Sequence, residues 1–473
     1  MTAVVTDDLK FNVLSSLLAD YNSASTEYYI GLSRSEYWDS NDAAVAPINS
    51  KYDITDFKER LQAVKKVEAA SFVVPRQDWA LGTIYPQWDD KRQGTLSTNK
   101  RYYVITDNYG VFICLRTGRN KQGVIQPSLV KPASSNLDPF ELSDGYVWKF
   151  LYTVSALQAN YFLSSQYMPV YRQETEPDSN STGAEIKQWA VQNAEKGGRI
   201  TTFVMSNTGS GYGTAGAFPN VNVYGDGQLT VGDSANNVLI KVIDSSAGTL
   251  TAIRTQGAVN NTLDYLDSYL FGEAVILPDG SGGDSARARP VIGPTPGFGY
   301  DPRKDLKGSA LMFRSKVLTT DTDFILSQDF RQIGLIKNIG RGDSAPDNKI
   351  NYNALTGIAI NNMKLTSYTT VLSKDKTIQG VSSFAKGYID NVDSSVAQGT
   401  KVYYHQSAET GYKPFLAGET IQEINGTGEG IIQIANQVGE VNNQSGEVLY
   451  LDNRAAVQRI ANQSEDIKVI IQL

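Results

Sequence analysis

The chain has 473 residues, with 43 Lys and Arg against 50 Asp and Glu for a net charge of -7, and it carries one Cys and one His. A polypeptide of this length buries roughly three quarters of its extended surface and is expected to form about three domains. With 41% hydrophobic and 20% charged residues it is not disordered by composition, and no run of about 18 apolar residues is present to cross a bilayer. Cys114 alone cannot form an internal disulfide, and His405 alone cannot build a zinc cluster. A Ser-His-Asp site would depend on His405 without a G-x-S-x-G elbow. The acidic balance and the lack of a basic tract argue against nucleic acid as a partner. Asp7 and Asp8 stand where a secretory signal needs basic then apolar residues, so synthesis in a cytoplasm is expected.

In chain order, Phe11, Leu14, Leu18 and Tyr21 recur at three- and four-residue spacing and predict a helix that ends in the polar stretch Asn22 to Thr26. A second amphipathic helix is expected over Asp53 to Val67, with Ile54, Phe57, Leu61 and Val64 inward and Lys58, Glu59, Lys65 and Lys66 outward. Strands are expected at Tyr28 to Leu32, Arg101 to Thr106, Gly110 to Thr117 and Tyr146 to Val154. Between these, Lys121 to Asp144 is rich in Pro, Ser and Asn and predicts a long surface connection.

The texture changes after Arg172. Glu174 to Thr182 is a polar linker, and from near Glu185 a glycine-rich β module is expected over residues 173–299. Gly209, Gly211 and Gly213 are read as turn glycines, because a dinucleotide loop needs a helix after it and strand-like sequence follows. Gly280, Gly282 and Gly283 form a flexible link back. Further strands are expected at Ala310 to Leu318 and Gln332 to Ile339. A second inserted β-rich region, 341–444, includes the alternating run Lys364 to Leu372 and a compact barrel or hairpin unit around Phe415 to Gln437. The chain closes on strands Gly446 to Asp452 and Asp466 to Leu473, the last expected to be tied into a sheet. The predicted fold is mainly β with a few helices: a β-sandwich-like core from 1–172, 300–340 and 445–473, interrupted by two small β modules.

Candidate chemistry is sparse. Asp78 beside Trp79, and Asp89 and Asp90 after Trp88, are the best sugar-cleft candidates, although Trp and Asp neighbours in a strand protein more often supply a core ring and a turn cap. Arg341-Gly342-Asp343 is a chance turn tripeptide. Cys114, flanked by Phe112, Ile113 and Leu115, is read as a buried small hydrophobe, and His405 as a hydrogen-bonded or solvent-facing imidazole. No catalytic, cofactor-binding or metal-binding residue is assigned. Arg34, Glu36, Trp38, Arg76, Asp78, Trp79 and Trp148 supply planar cations, carboxylates and indoles, the materials of bidentate pairs and cation-π stacks. They are read as fastening the N-terminal segment onto its own sheet, with a role at a protein interface as the alternative.

Several stretches, in order, resemble a known family: GLSRSEYWDSND at Gly31 to Asp42 with VVPRQDWALGTIYP at Val73 to Pro86, then SDGYVWKFLYTVS at Ser143 to Ser155, and SGEVLYLDNRAAVQRIANQSEDIKVIIQL at the C-terminus, with FRSKVL at Phe313 to Leu318 and FRQIGLI at Phe330 to Ile336. Together they resemble the gene-product-eight subunit of the baseplate wedge in contractile-tailed, T-even-like phages, over roughly half the chain. The resemblance implies a non-enzymatic structural subunit of the virion's tail baseplate, assembled in the host cytoplasm. It also implies a homodimer that joins other baseplate wedge proteins, with no cofactor, no nucleic acid and no membrane. Abundant Tyr, 26 residues, supplies interface anchors at low entropic cost. The competing reading is a tail-associated glycan-binding or glycan-cleaving protein whose inserted β modules are sugar platforms.

Overall fold

The computed structural model describes residues 4–34, 43–89, 101–120, 124–195, 200–211, 217–221, 238–246, 249–255, 274–275, 284–325, 329–343, 351–394 and 399–473. They fold mainly as antiparallel β-structure, with helices α1 (Asp7–Tyr21), α2 (Lys51–Glu59), α3 (Ala156–Phe162), α4 (Gly183–Ala194) and α5 (Pro302–Asp305). The chain divides into two compact units, residues 1–12 with 71–310 and 473, and residues 13–70 with 311–472.

In the unit built from 13–70 and 311–472, a five-stranded antiparallel sheet runs in the order Thr356–Ile358, Leu61–Lys66, Tyr28–Ser33, Asp329–Lys337, Glu447–Gln458. Tyr28–Ser33 is buried along its whole length and has a paired neighbour on each edge. Phe57 from α2 lies fully buried against this sheet, and two glycines make room for it. A methyl group at Gly31 would sit 3.2 Å from the tip of the Phe57 ring, and one at Gly334 would collide with that ring. Gly31 and Gly334 are register partners, and a methyl group at Gly31 would meet Leu61 and Ile336, at 2.7 and 2.9 Å, more closely than the ring.

The helix expected over Asp53 to Val67 is shorter than the sequence suggests. Ser50 caps α2 by accepting from the Asp53 N–H, and the helix stops at Arg60. Leu61–Lys66 is a strand, paired to Tyr28–Ser33 on one side and Thr356–Ile358 on the other. Lys65, expected on a wet face, is instead buried and reaches Asp321 with its Nζ 2.9 Å from Oδ2. Apolar residues spaced to suit a helix also suit the period of a doubly paired strand, and pairing at both edges decided between them.

Within the second expected insertion, Asn361–Thr370, Lys401–His405, Lys386–Asp393, Thr377–Gly380, Thr420–Glu423 and Glu429–Gln437 close into a barrel in that order. Met363, Leu365, Ile378, Ile389, Tyr404 and Ile421 are among the side chains that fill it. The compact unit expected around Phe415 to Gln437 supplies two of these strands. Closure satisfies every edge at once, which a lone hairpin cannot do.

In the other unit, a sheet orders Tyr103–Ile105, Gly110–Arg116, Val147–Thr153 and Phe140–Glu141. Phe112, Cys114, Trp148 and Phe150 from its strands form a buried cluster with Tyr85 and Tyr146. Helix α4, inside the segment expected to begin the glycine-rich module, is opened by a capping box between Thr182 and Glu185 and places Val191 in that same core. Ile200–Ser210 pairs with Asp284–Ile292, and Ala217–Val221, Val238–Ser246 and Thr249–Thr255 form a separate three-stranded sheet. Gly209 and Gly211 take left-handed backbone at φ 62° and 74°, and a strand follows. Gly213, Gly280, Gly282 and Gly283 lie outside the described residues.

Replacing Gly334 by Ala should destabilise the protein by about 1–3 kcal/mol through overpacking against Phe57. Combining it with Phe57→Leu should recover part of that loss in urea unfolding. Equal midpoints for Gly334→Ala and the parent chain would refute the packing argument.

Candidate interface and core-fastening site

Arg34 follows directly on the Tyr28–Ser33 strand. Its Nη1 lies 2.5 Å from Asp375 Oδ1, its Nε 3.4 Å from Asp329 Oδ1, and its guanidinium stands 5.8 Å from the centre of the Tyr388 ring. Burial alone would lower its pKa, but the hydrogen bond it donates to Asp375 and the nearby charges hold it above the ordinary arginine value. Asp375 lies in the turn before strand Thr377–Gly380, and Tyr388 is in strand Lys386–Asp393, so Arg34 ties the end of a sheet strand to the barrel. Glu59 and Arg60 add to this tie. Glu59 accepts from Tyr412 Oη and from the Ala408 N–H at 3.3 Å, and Arg60 Nη2 lies 3.5 Å from Glu409.

Arg76 and Asp78 form a fork-to-fork pair, with Nε 3.1 and 3.0 Å from the two carboxylate oxygens and Nη2 2.9 Å from Oδ1. Arg76 Nη1 also donates to the Ser164 carbonyl at 3.0 Å. Trp79 donates from its indole to Ser128 Oγ at 3.2 Å, and its backbone N–H donates to the Ile105 carbonyl. Trp148 is fully buried, stacked on Tyr146 at 5.8 Å and edge-on to Tyr85 at 5.6 Å. Glu36 and Trp38 lie outside the described residues. Arg34, Arg76, Asp78, Trp79 and Trp148 are thus not one cluster: Arg34 sits in one compact unit and the other four in the second.

The sugar-cleft candidates have other engagements. Asp78 is forked to Arg76, Trp88 is buried edge-on to Phe298 at 4.9 Å, and Asp89 lies 3.6 Å from Arg289; Asp90 lies outside the described residues. His405 is buried with its Nδ1 2.8 Å from Asp390 Oδ2. Burial pushes the Cys114 thiol far above its ordinary pKa. Arg341 and Asp343 pair with each other at 3.0 and 2.7 Å. Among the described residues, no three His, Cys, Asp or Glu side chains are grouped to hold a metal, and no helix is long and apolar enough to cross a membrane.

The most deeply buried charges were not singled out from the sequence. Lys149, in the middle of the apolar strand Val147–Thr153, places its Nζ 2.5 Å from Glu195 Oε1 and 2.6 Å from the Leu137 carbonyl. Asp305 at the end of α5 accepts the Gly299 N–H at 2.6 Å. Burial pushes its carboxyl well above the ordinary range, a shift opposed by the Gly299 hydrogen bond and reinforced by Asp301 and Glu195. A lysine inside an otherwise apolar run was the available signal, since it must find a carboxylate if both its neighbours on the strand are core residues. Glu195 could not be named as that partner without the packing of α4.

No family model matches the chain, and no curated protein matches it in sequence.

Arg34→Ala should loosen the tie between barrel and sheet and cost about 1–3 kcal/mol. Arg34→Lys should restore little, because an ammonium cannot reproduce the fork. Hydrogen exchange at 375–390 measures this, and unchanged protection in Arg34→Ala would reject the assignment. For Asp305 the folded pKa lies above the unfolded one. Its favourable contribution is therefore complete below the ordinary carboxylate pKa and is lost as pH rises through the elevated folded value. Asp305→Asn keeps an acceptor for Gly299 and does not titrate, so its stability relative to the parent should increase from acid to neutral pH; a pH-independent difference in melting temperature would contradict this.

Proposed function

We propose that the protein is a structural subunit of a contractile phage tail baseplate wedge, which dimerises and bridges neighbouring wedge proteins during virion assembly and transforms no substrate. One observation carries the reading. The stretches that resemble the wedge-subunit family are hundreds of residues apart in sequence, yet three of them supply adjacent strands of one sheet. Gly31 to Ser33 pairs with Gln332 to Gly334, and Asp329–Lys337 pairs in turn with Glu447–Gln458. These three stretches therefore lie on one sheet, while Val73 to Pro86 and Ser143 to Ser155 belong to the other compact unit. The forked Arg76–Asp78 pair and the buried Trp148 support the same reading, because they use the candidate polar and aromatic groups to stiffen the framework.

Light scattering should give a dimer, and co-expression with other wedge proteins of the same phage should give a complex that assembles in a fixed order. Incubation with host envelope polysaccharide should release no sugar, and Asp78→Asn should leave that result unchanged. A monomer that binds no wedge protein, or sugar release abolished by Asp78→Asn, would overturn the proposal.

A further inference from the structure

The first turns of α1, the Pro294–Thr295 loop and the C-terminal end of α5 enclose a cleft of about 380 Å3, within the range of small-ligand sites. All of its walls belong to one compact unit. Phe11 and Trp88 supply its apolar surface: Phe11 is stacked on Phe72 at 5.4 Å and Trp88 is braced by Phe298. Its cations are Lys10, Arg303, Lys304 and Lys307.

These cations are not equally engaged. Arg303 is neutralised by Asp301 at 2.9 Å and Glu174 at 3.2 Å, and Lys307 lies 3.4 Å from Asp7. Lys304 stands over the Phe11 ring at 5.3 Å. Among the described residues, neither Lys304 nor Lys10 is paired with a carboxylate, and the remaining acid in the lining is Asp8. Two cations thus face one carboxylate beside an aromatic wall.

The backbone adds an independent observation. α5 ends in a Schellman motif, with the Gly308 N–H donating to the Arg303 carbonyl at 2.7 Å and the Lys307 N–H to the Lys304 carbonyl at 3.1 Å. The residue that must turn left-handed in this motif is normally glycine. Here it is Lys307, at φ 51°, with its side chain only 12% exposed and lining the cleft. Lys307 is one of eight described non-glycine residues at positive φ, and its ammonium lies 3.4 Å from Asp7.

We propose that this cleft binds an anionic oxygen group, a carboxylate or a phosphate, carried on a body whose apolar edge rests against Phe11. Lys304, Lys307 and Lys10 would supply charge-assisted hydrogen bonds, and the ring would supply the apolar contact. This inference is independent of the baseplate reading.

The test titrates the full-length protein by calorimetry with sodium phosphate, with a short peptide carrying Glu next to Phe, and with the same peptide carrying Gln in place of Glu. Binding of phosphate or of the Glu peptide, weakened by salt and absent for the Gln peptide, is expected; which of the two binds identifies the source of the anion. Lys304→Gln should weaken that binding roughly 5-fold. Lys307→Gly should weaken it at least as much while its melting temperature stays level or rises, since glycine suits the left-handed position. Failure of both anions to bind, equal binding of the Gln peptide, or unchanged affinity in both variants would overturn the proposal. A Lys307→Gly variant that melts lower and binds as the parent does would assign Lys307 to anchoring α1 through Asp7, and would equally overturn it.

Discussion

One aromatic ring packs over a pair of facing glycines in the five-stranded sheet. Phe57 occupies the space left by Gly31 and Gly334, which face each other on adjacent strands from opposite ends of the chain. A side chain at Gly334 would collide with the ring, and one at Gly31 would meet Leu61 and Ile336 first, so both positions stay bare where the two strands pair. Local sequence, packing and long-range pairing therefore fix one another at this point. Leu61–Lys66 and Glu447–Gln458 pair on the outer edges of these two strands.

Charge in this protein is used chiefly to fasten backbone. Asp144 illustrates the pattern: one carboxylate accepts from the Leu129 N–H at 2.8 Å, the Val130 N–H at 3.0 Å and Ser128 Oγ at 3.2 Å. Residues 128–130 are thereby fastened to Asp144. Glu419 does the same in the barrel. Burial would raise its pKa, but the N–H groups of Leu416, Ser383 and Ser382 and the Ser383 hydroxyl hold it below the ordinary glutamate value. Arg459 is the cationic counterpart, donating to the carbonyls of Leu318 and Phe324 at 2.6 and 2.9 Å. An acidic chain with many loops spends its carboxylates this way because buried N–H groups must find acceptors.

The tie between sheet and barrel has the same character. Arg34, Glu59 and Arg60 lie at strand and helix ends, where the backbone has just left regular structure, and they reach Asp375, Tyr412 and Glu409. Polar contacts at element ends are geometrically specific because a guanidinium or carboxylate accepts few orientations.

Periodicity and turn chemistry in the sequence determined the mainly-β class, helix α1, and the strands at Tyr28–Ser33, Gly110–Arg116, Val147–Thr153, Ala310–Val317 and Glu465–Gln472. In these segments the local pattern and the final environment agree. Leu61–Lys66 shows the limit: its apolar spacing suited helix or strand, and partners from residues 28–33 and 356–358 decided it. Of the candidate site, the Arg76–Asp78 fork was within reach of sequence because its ends are two positions apart, whereas Arg34–Asp375 and Lys149–Glu195 were not. Sequence alone shows which residues carry charge and where the chain turns. Only the tertiary structure chooses each charge's partner, because that choice depends on which distant backbones the packing brings within hydrogen-bond reach.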